Sequence, residues 1–141
     1  MQPALLDTSI YISSLREGNT SFASVQFGTG VTLWLSAVVL EELYTGARQP
    51  ARSVIALLER RFAIAGRILV PDLSDWILTG NALADVASRH GYEAIARGRL
   101  TNDALIAMSA ARAGITIITA NARDFRRLAE FRSFHWQLAP L

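Results

Sequence analysis

The sequence predicts an α/β fold, a three-layer α/β/α sandwich around a mainly parallel sheet. Three observations carry this. Short apolar or β-branched runs stand far apart, at 2–6, 31–35 and 115–119. Segments with apolar residues at helical spacing lie between them. Glycine or proline marks many of the junctions, at Pro50, Gly66, Pro71, Gly91 and Gly114. Strands that alternate with helices form parallel neighbours, and the crossover helices cover both faces of the sheet. The 141 residues fit one domain. At 51% hydrophobic and 18% charged, the chain can bury a sizeable core and does not read as disordered. It shows no internal repeat, linker or low-complexity tract.

The elements follow in order. Residues 2–6 form a short apolar strand, and SIYISSLRE at 9–17 a helix. A loop near Gly18-Asn19 leads to a second short helix at 20–27. VTLWL at 31–35 is β-branched and apolar after a glycine-rich turn, so it reads as a strand. Ser36 is placed to cap the next helix, which carries Leu40, Leu43, Tyr44 and Ala47 on one face and is stopped by Pro50. A helix at 51–64 ends at Gly66, and RILVPDL at 67–73 is a strand closed by Pro71. A helix at 75–90 stops at Gly91. After a polar connection, NDALIAMSAARAG at 102–114 is an alanine-rich helix with Gly114 at its end. ITIIT at 115–119 is a continuous β-branched run, read as a buried strand. A short helix at 123–131 and an edge strand at 134–140 complete the chain, Pro140 favouring the edge.

Composition removes several functions. There is no cysteine, so disulfides and thiolate metal sites are excluded and a cytoplasmic setting is expected. The opening MQPALLD has neither a basic region nor a long apolar one, so no secretory leader is expected. The longest nearly apolar run, 31–40, is too short to span a bilayer. All 14 basic residues are arginine. Arginine's planar fork suits phosphate, but genomic base composition also swaps lysine for arginine. The absence of lysine rules out a P-loop, kinase chemistry and a Schiff base. Gly28-x-Gly30 lacks a third glycine and precedes a strand, so it is not a dinucleotide loop. His90 and His135 lack metal-ligand spacing and read as structural or surface residues.

The acids are more informative. In open parallel sheets, ligands bind beyond the carboxyl ends of the strands. Asp7 follows the first strand, Glu41 and Glu42 lie beyond the second, Asp103 opens the alanine-rich helix, and Asp124 lies five residues past ITIIT. Singly, each is more simply read as a helix cap, a helix-dipole partner or a solvated surface group. Together they would meet at one edge of one sheet. Packed carboxylates repel unless a cation sits among them, and hard oxygen donors suit Mg²⁺ or Mn²⁺. Helical periodicity does not separate Glu41 from Glu42.

The blocks LLDTSI, SAVVLEELYTGA, NDALIAMSAARAG and ITIITANARDF resemble the four motif blocks of PIN domains, in the same order and over residues 4 to about 131. The resemblance is greatest to the VapC-type toxins of bacterial toxin–antitoxin pairs. It implies a PIN-like fold and places the family's four acids on Asp7, Glu42, Asp103 and Asp124, with Glu42 chosen over Glu41 on this ground alone. It implies a Mg²⁺- or Mn²⁺-dependent endoribonuclease with one or two ions. Asp7 and Asp103 would ligate metal directly; Glu42 and Asp124 would ligate it or orient its water. Thr8, Thr119 and Asn121 are candidates to orient these carboxylates or touch phosphate, with turn and helix capping as their other reading. A cap from Thr8 or Ser9 would leave Asp7 for the metal. Arg123, Arg126, Arg127 and Arg132 cluster beside the fourth acid and are candidates for RNA backbone contacts, or a solvated helix face. The resemblance also implies a homodimer and a small VapB-type antitoxin that inserts an arginine-bearing tail among the acids. A catalytically inactive PIN-like binding module and another Mg²⁺-dependent phosphoester hydrolase are the alternatives. A haloacid-dehalogenase-type phosphatase would need Asp where Ser9 stands, and a lysine.

Overall fold

The computed structural model describes residues 2–18, 30–96 and 100–139. Five strands form one sheet: β1 (Gln2–Leu6), β2 (Val31–Ser36), β3 (Ile68–Leu69), β4 (Thr116–Thr119) and β5 (Trp136–Leu138). Their order is β3-β2-β1-β4-β5, and every pair is parallel. The chain first steps outward from β1 through β2 to β3. It then returns to the other side of β1 for β4 and β5. The order therefore reverses between β1 and β4, and the carboxyl ends of those two strands flank the crevice where such sheets take ligands.

Among the described residues the helices are α1 (Thr8–Arg16), α2 (Ala37–Gly46), α3 (Ala51–Ile64), α4 (Leu73–His90), α5 (Glu93–Ala96), α6 (Leu100–Ala113) and α7 (Arg123–Ala129). Contacts join α1 to α2 and α2 to α3, and join α4, α6 and α7 to one another, with α2 also touching α6. Right-handed crossovers put the first group on one face and the second on the other. The core between them holds Leu5, Leu6, Leu35, Ile117 and Ile118 from the strands, with Tyr11, Ile55, Ile106, Phe125 and Leu128 from the helices. Helix α6 is buried continuously from Ala104 to Ala110, which its small side chains permit at close approach. Gly114, at φ +70°, turns α6 into β4 through a conformation that a side chain would strain.

Several boundaries differ from the sequence reading. Strand β3 has two residues, shorter than the stretch closed by Pro71 that the sequence reading allows. Pro71 offers no N–H, and Val70 is already exposed, so pairing ends there. Helix α4 begins at Leu73, two residues early, because Asp72 and Asp75 form a reciprocal capping box: Asp75 N–H donates to Asp72 at 3.0 Å and Asp72 N–H to Asp75 at 2.9 Å. The polar connection before the alanine-rich helix contains the short α5. The helix expected at 20–27 lies outside the described residues. Ser36 caps α2 as expected, accepting from Val38 N–H at 3.1 Å. Among the described residues no helix is long and apolar enough to cross a membrane.

The far end of α6 is pinned by charge. Arg112 Nε lies 3.1 and 2.9 Å from the two carboxylate oxygens of Asp75, whose side chain is fully buried. The same guanidinium reaches Asp72 at 3.1 Å and donates to Val70 O at 3.2 Å. Helix α6 is thus tied to the start of α4 and the exit of β3. Arg112→Ala should lower stability by about 3 kcal/mol, because it strands a buried carboxylate. Arg89→Ala, whose partner Glu130 is solvent-exposed, should cost less than about 1 kcal/mol. Urea unfolding of the two variants measures the contrast, and equal small losses would show that the Arg112 pair does not hold α6.

Candidate active site

Each acid reaches the crevice by a different route. Asp7 is the residue after β1, and its backbone N–H donates to Ile118 O of β4 at 3.0 Å. Helix α6 leads back down the sheet to β4, so its first turn, with Asp103, stands at the carboxyl edge of the strands. Asp124 lies in the first turn of α7, just after β4. Glu42 lies in the second turn of α2, which starts directly from β2. Asp7, Thr8, Ser9, Glu42, Asp103, Asn121 and Asp124 line one pocket of about 130 Å³.

Hydrogen bonds orient two of these carboxylates. Thr8 Oγ1 donates to Glu42 Oε1 at 2.7 Å. Thr119 Oγ1, fully buried, donates to Asp7 Oδ2 at 2.6 Å. Asp7 Oδ1 accepts from Ser9 N–H at 2.7 Å and from Ser9 Oγ at 2.5 Å. Ser9 Oγ in turn accepts from Ala120 N–H at 3.2 Å, which ties the start of α1 to the loop after β4. Asn121 N–H donates to Thr119 Oγ1 at 3.0 Å, and Asn121 Oδ1 accepts from Arg123 N–H at 3.3 Å. These three donors use most of the lone-pair capacity of Asp7 and leave room chiefly on Oδ2.

The geometry corrects one expectation and separates others. Asp7 itself is the N-cap of α1, so the cap does not come from Thr8 or Ser9. The same carboxylate both caps the helix and lines the pocket. Asp124 does not cap α7, which starts after Ala122. Glu42 lines the pocket, whereas Glu41 is exposed and accepts from Thr45 at 3.3 Å on its own helix. The arginines split. Arg123 and Arg127 line an adjoining pocket with Asp124. Arg126 lies 5.9 Å over the ring of Trp136, and Arg132 lies 3.8 Å from Asp85. His90 Nε2 lies 3.2 Å from Glu130, and His135 is exposed. Sequence reasoning missed Ser9 as the hinge of the Asp7 network. The serine two residues after an aspartate at a helix start was its signal.

The electrostatics follow from the convergence. Asp103 is pushed up from 3.8 to about 8, first by burial and then by the negative charges of Asp7, Asp124 and Glu42, with a hydrogen bond to Asp124 adding to it. An all-oxygen, acidic donor set of this kind fits a hard divalent cation in chemical character. Among the described residues, however, no three carboxylates are gathered tightly enough to grip an ion as they stand. They ring the pocket and do not converge on a point.

Because Asp103 holds its proton more tightly when folded, the folded chain carries the extra proton between pH 3.8 and about 8. Stability from this group is complete at low pH and is lost as pH rises through that window. Asp103→Asn removes the loss. In EDTA at pH 8 the variant should therefore melt higher than the parent, and the two should converge towards pH 4. A variant that melts lower at pH 8 would contradict the carboxylate crowding.

A PIN domain family model matches residues 4–131. Chains of similar fold occur in the DNA-bound VapBC from Salmonella typhimurium, at 23% identity and TM-score 0.67 over 98% of each chain. VapBC2 from Rickettsia felis bound to a promoter DNA fragment matches at 18% identity and TM-score 0.69, over 99% of this chain and 100% of that one. VapBC-5 from Mycobacterium tuberculosis, of the VapBC family of toxin–antitoxin systems, matches at 24% identity and TM-score 0.58 over 100% of both chains. No curated protein sequence is significantly similar. With the family model spanning nearly the whole chain and the fold matching chains of VapBC complexes, this chain belongs to the PIN domain family.

Proposed function

We propose that the protein is a Mg²⁺- or Mn²⁺-dependent endoribonuclease and the toxin of a VapBC-type pair. The observation that carries this reading is the meeting of Asp7, Glu42, Asp103 and Asp124, from four separate segments, around one pocket in which burial and the other three charges push Asp103 up to about 8. Acids brought together at such a cost to one another suit a site whose task needs a cation.

When bound, the cation supplies charge neutralisation at the scissile phosphate and lowers the pKa of the attacking water. Asp7 and Asp103 would hold it. Glu42 and Asp124 complete the oxygen set or orient the water. Thr119 and Ser9 keep Asp7 from turning, and Thr8 does the same for Glu42. Attack by water needs no 2′-hydroxyl, so no cyclic phosphate should form; with the 3′-oxygen as the leaving group, the products should carry a 5′-phosphate and a 3′-hydroxyl. The partner that silences the site would be a small antitoxin whose arginine tail pairs with the same carboxylates, in an assembly built on a toxin homodimer.

Purified protein should cut structured RNA with Mg²⁺ or Mn²⁺ and stop on addition of EDTA. Asp7→Asn and Asp103→Asn should each lose at least about 100-fold in rate, and Thr119→Val about 10- to 100-fold. Full activity in either carboxylate variant, or a cyclic-phosphate product, would overturn the mechanism.

A further inference from the structure

A second pocket, of about 370 Å³, adjoins the acidic one. The two share Asn121 and Asp124. Its other polar lining comes from Arg123 and Arg127 of α7, His90 at the end of α4 and Glu93 of α5. The structure thus sets two guanidiniums directly beside the candidate cutting site, on the side of Asn121 and Asp124. We propose that this pocket is the subsite for the nucleotide next to the scissile bond, with Arg123 and Arg127 binding its phosphate. This rests on the nuclease reading above.

Three features support it. Arginine forks match phosphate oxygens in pairs, and here two reach one cavity. Glu93 and Asp124 face the same cavity and offset the two arginines, so it offers no net positive charge to a long polyanionic track and can engage a phosphate only locally, through the guanidinium donors. The cavity is lined from α4, α5 and α7, and its volume of about 370 Å³ falls in the range of small-ligand pockets, so it can take a single nucleotide turned out of its stack. Arg126 and Arg132 take no part, because Trp136 and Asp85 engage them. The subsite therefore separates the two arginines that should matter to the substrate from two neighbours that should not.

The test uses the full chain and a fluorescent single-stranded oligoribonucleotide containing a mapped cut site. Binding is read by anisotropy in EDTA, and cleavage kinetics in Mg²⁺. Arg123→Ala and Arg127→Ala should each weaken binding about 10-fold and reduce the slope of log affinity against log salt by about one. In cleavage they should raise KM by a similar factor with little change in kcat. Arg60→Ala, an exposed arginine on α3, should change neither. Arg123 is itself exposed, so its variant tests the subsite even if Arg127→Ala unfolds, which a melting curve shows. Unchanged binding and salt slope in Arg123→Ala would overturn the subsite, as would an equal loss in Arg60→Ala or a fall in kcat with KM unchanged. If the parent cuts no RNA yet its binding still depends on Arg123, the nuclease reading fails and the anion subsite stands.

Discussion

Two hydrogen bonds at the end of the β1–β4 pairing hold the site in place. Asp7 N–H donates to Ile118 O, and Thr119 Oγ1 donates to Asp7 Oδ2. The first continues the sheet one residue past β1. The second fixes the carboxylate that the sheet has just delivered. Both depend on β1 and β4 being neighbours, which the reversal in strand order alone provides. Since α6 enters β4 and α7 leaves it, the same pairing brings Asp103 and Asp124 beside Asp7. Glu42 joins from the other side through α2 and the hydroxyl of Thr8. Every other acid is therefore placed relative to Asp7.

The arrangement works against stability at the pocket itself. Asp103 keeps a proton that water would remove, first because it is buried and then because Asp7, Asp124 and Glu42 stand beside it. The opposing contributions lie away from the pocket. Helix α6 is buried on every side from Ala104 to Ala110, chiefly against α4 and also against β4, and Arg112 anchors its distant end to Asp75. A helix fixed along its length and at its far end can present an unfavourable charge at its near end without moving. That division of labour is general: strained or repelling groups persist where the surrounding structure over-determines them.

Much of this arrangement is legible in the chain. The β-branched runs, the cap at Ser36 and the glycine after α6 each announce themselves by local chemistry, and the elements formed where they imply. Asp7, the Glu41-Glu42 pair and Asp124 are readable as acids behind strands, although singly each had a simpler explanation, whereas Asp103 opens the helix that leads into β4 and does not follow a strand. Other features needed the third dimension. Asp7 proved to be a cap and a pocket residue at once, alternatives that the sequence presents as rivals. Glu41 and Glu42 are indistinguishable by periodicity; the fold separates them, turning Glu42 into the pocket beside Thr8 and leaving Glu41 exposed. The arginine cluster looked uniform, yet Trp136 and Asp85 draw off two of its members from far along or back in the chain. Strand β3 was overread because an apolar run carries no mark of where its pairing partner ends. The Asp-x-x-Asp spacing at 72–75 did carry the capping signal that set the start of α4.

The central claim is that the fold gathers four carboxylates for a divalent cation. Mn²⁺ binding to the metal-free protein, followed by electron paramagnetic resonance at neutral pH, tests it directly. The parent chain should bind one or two ions and melt at a higher temperature as they bind. The variant with Asp7→Asn, Glu42→Gln, Asp103→Asn and Asp124→Asn should fold and bind none. Equal Mn²⁺ binding by both chains, or none by the parent, would contradict the claim.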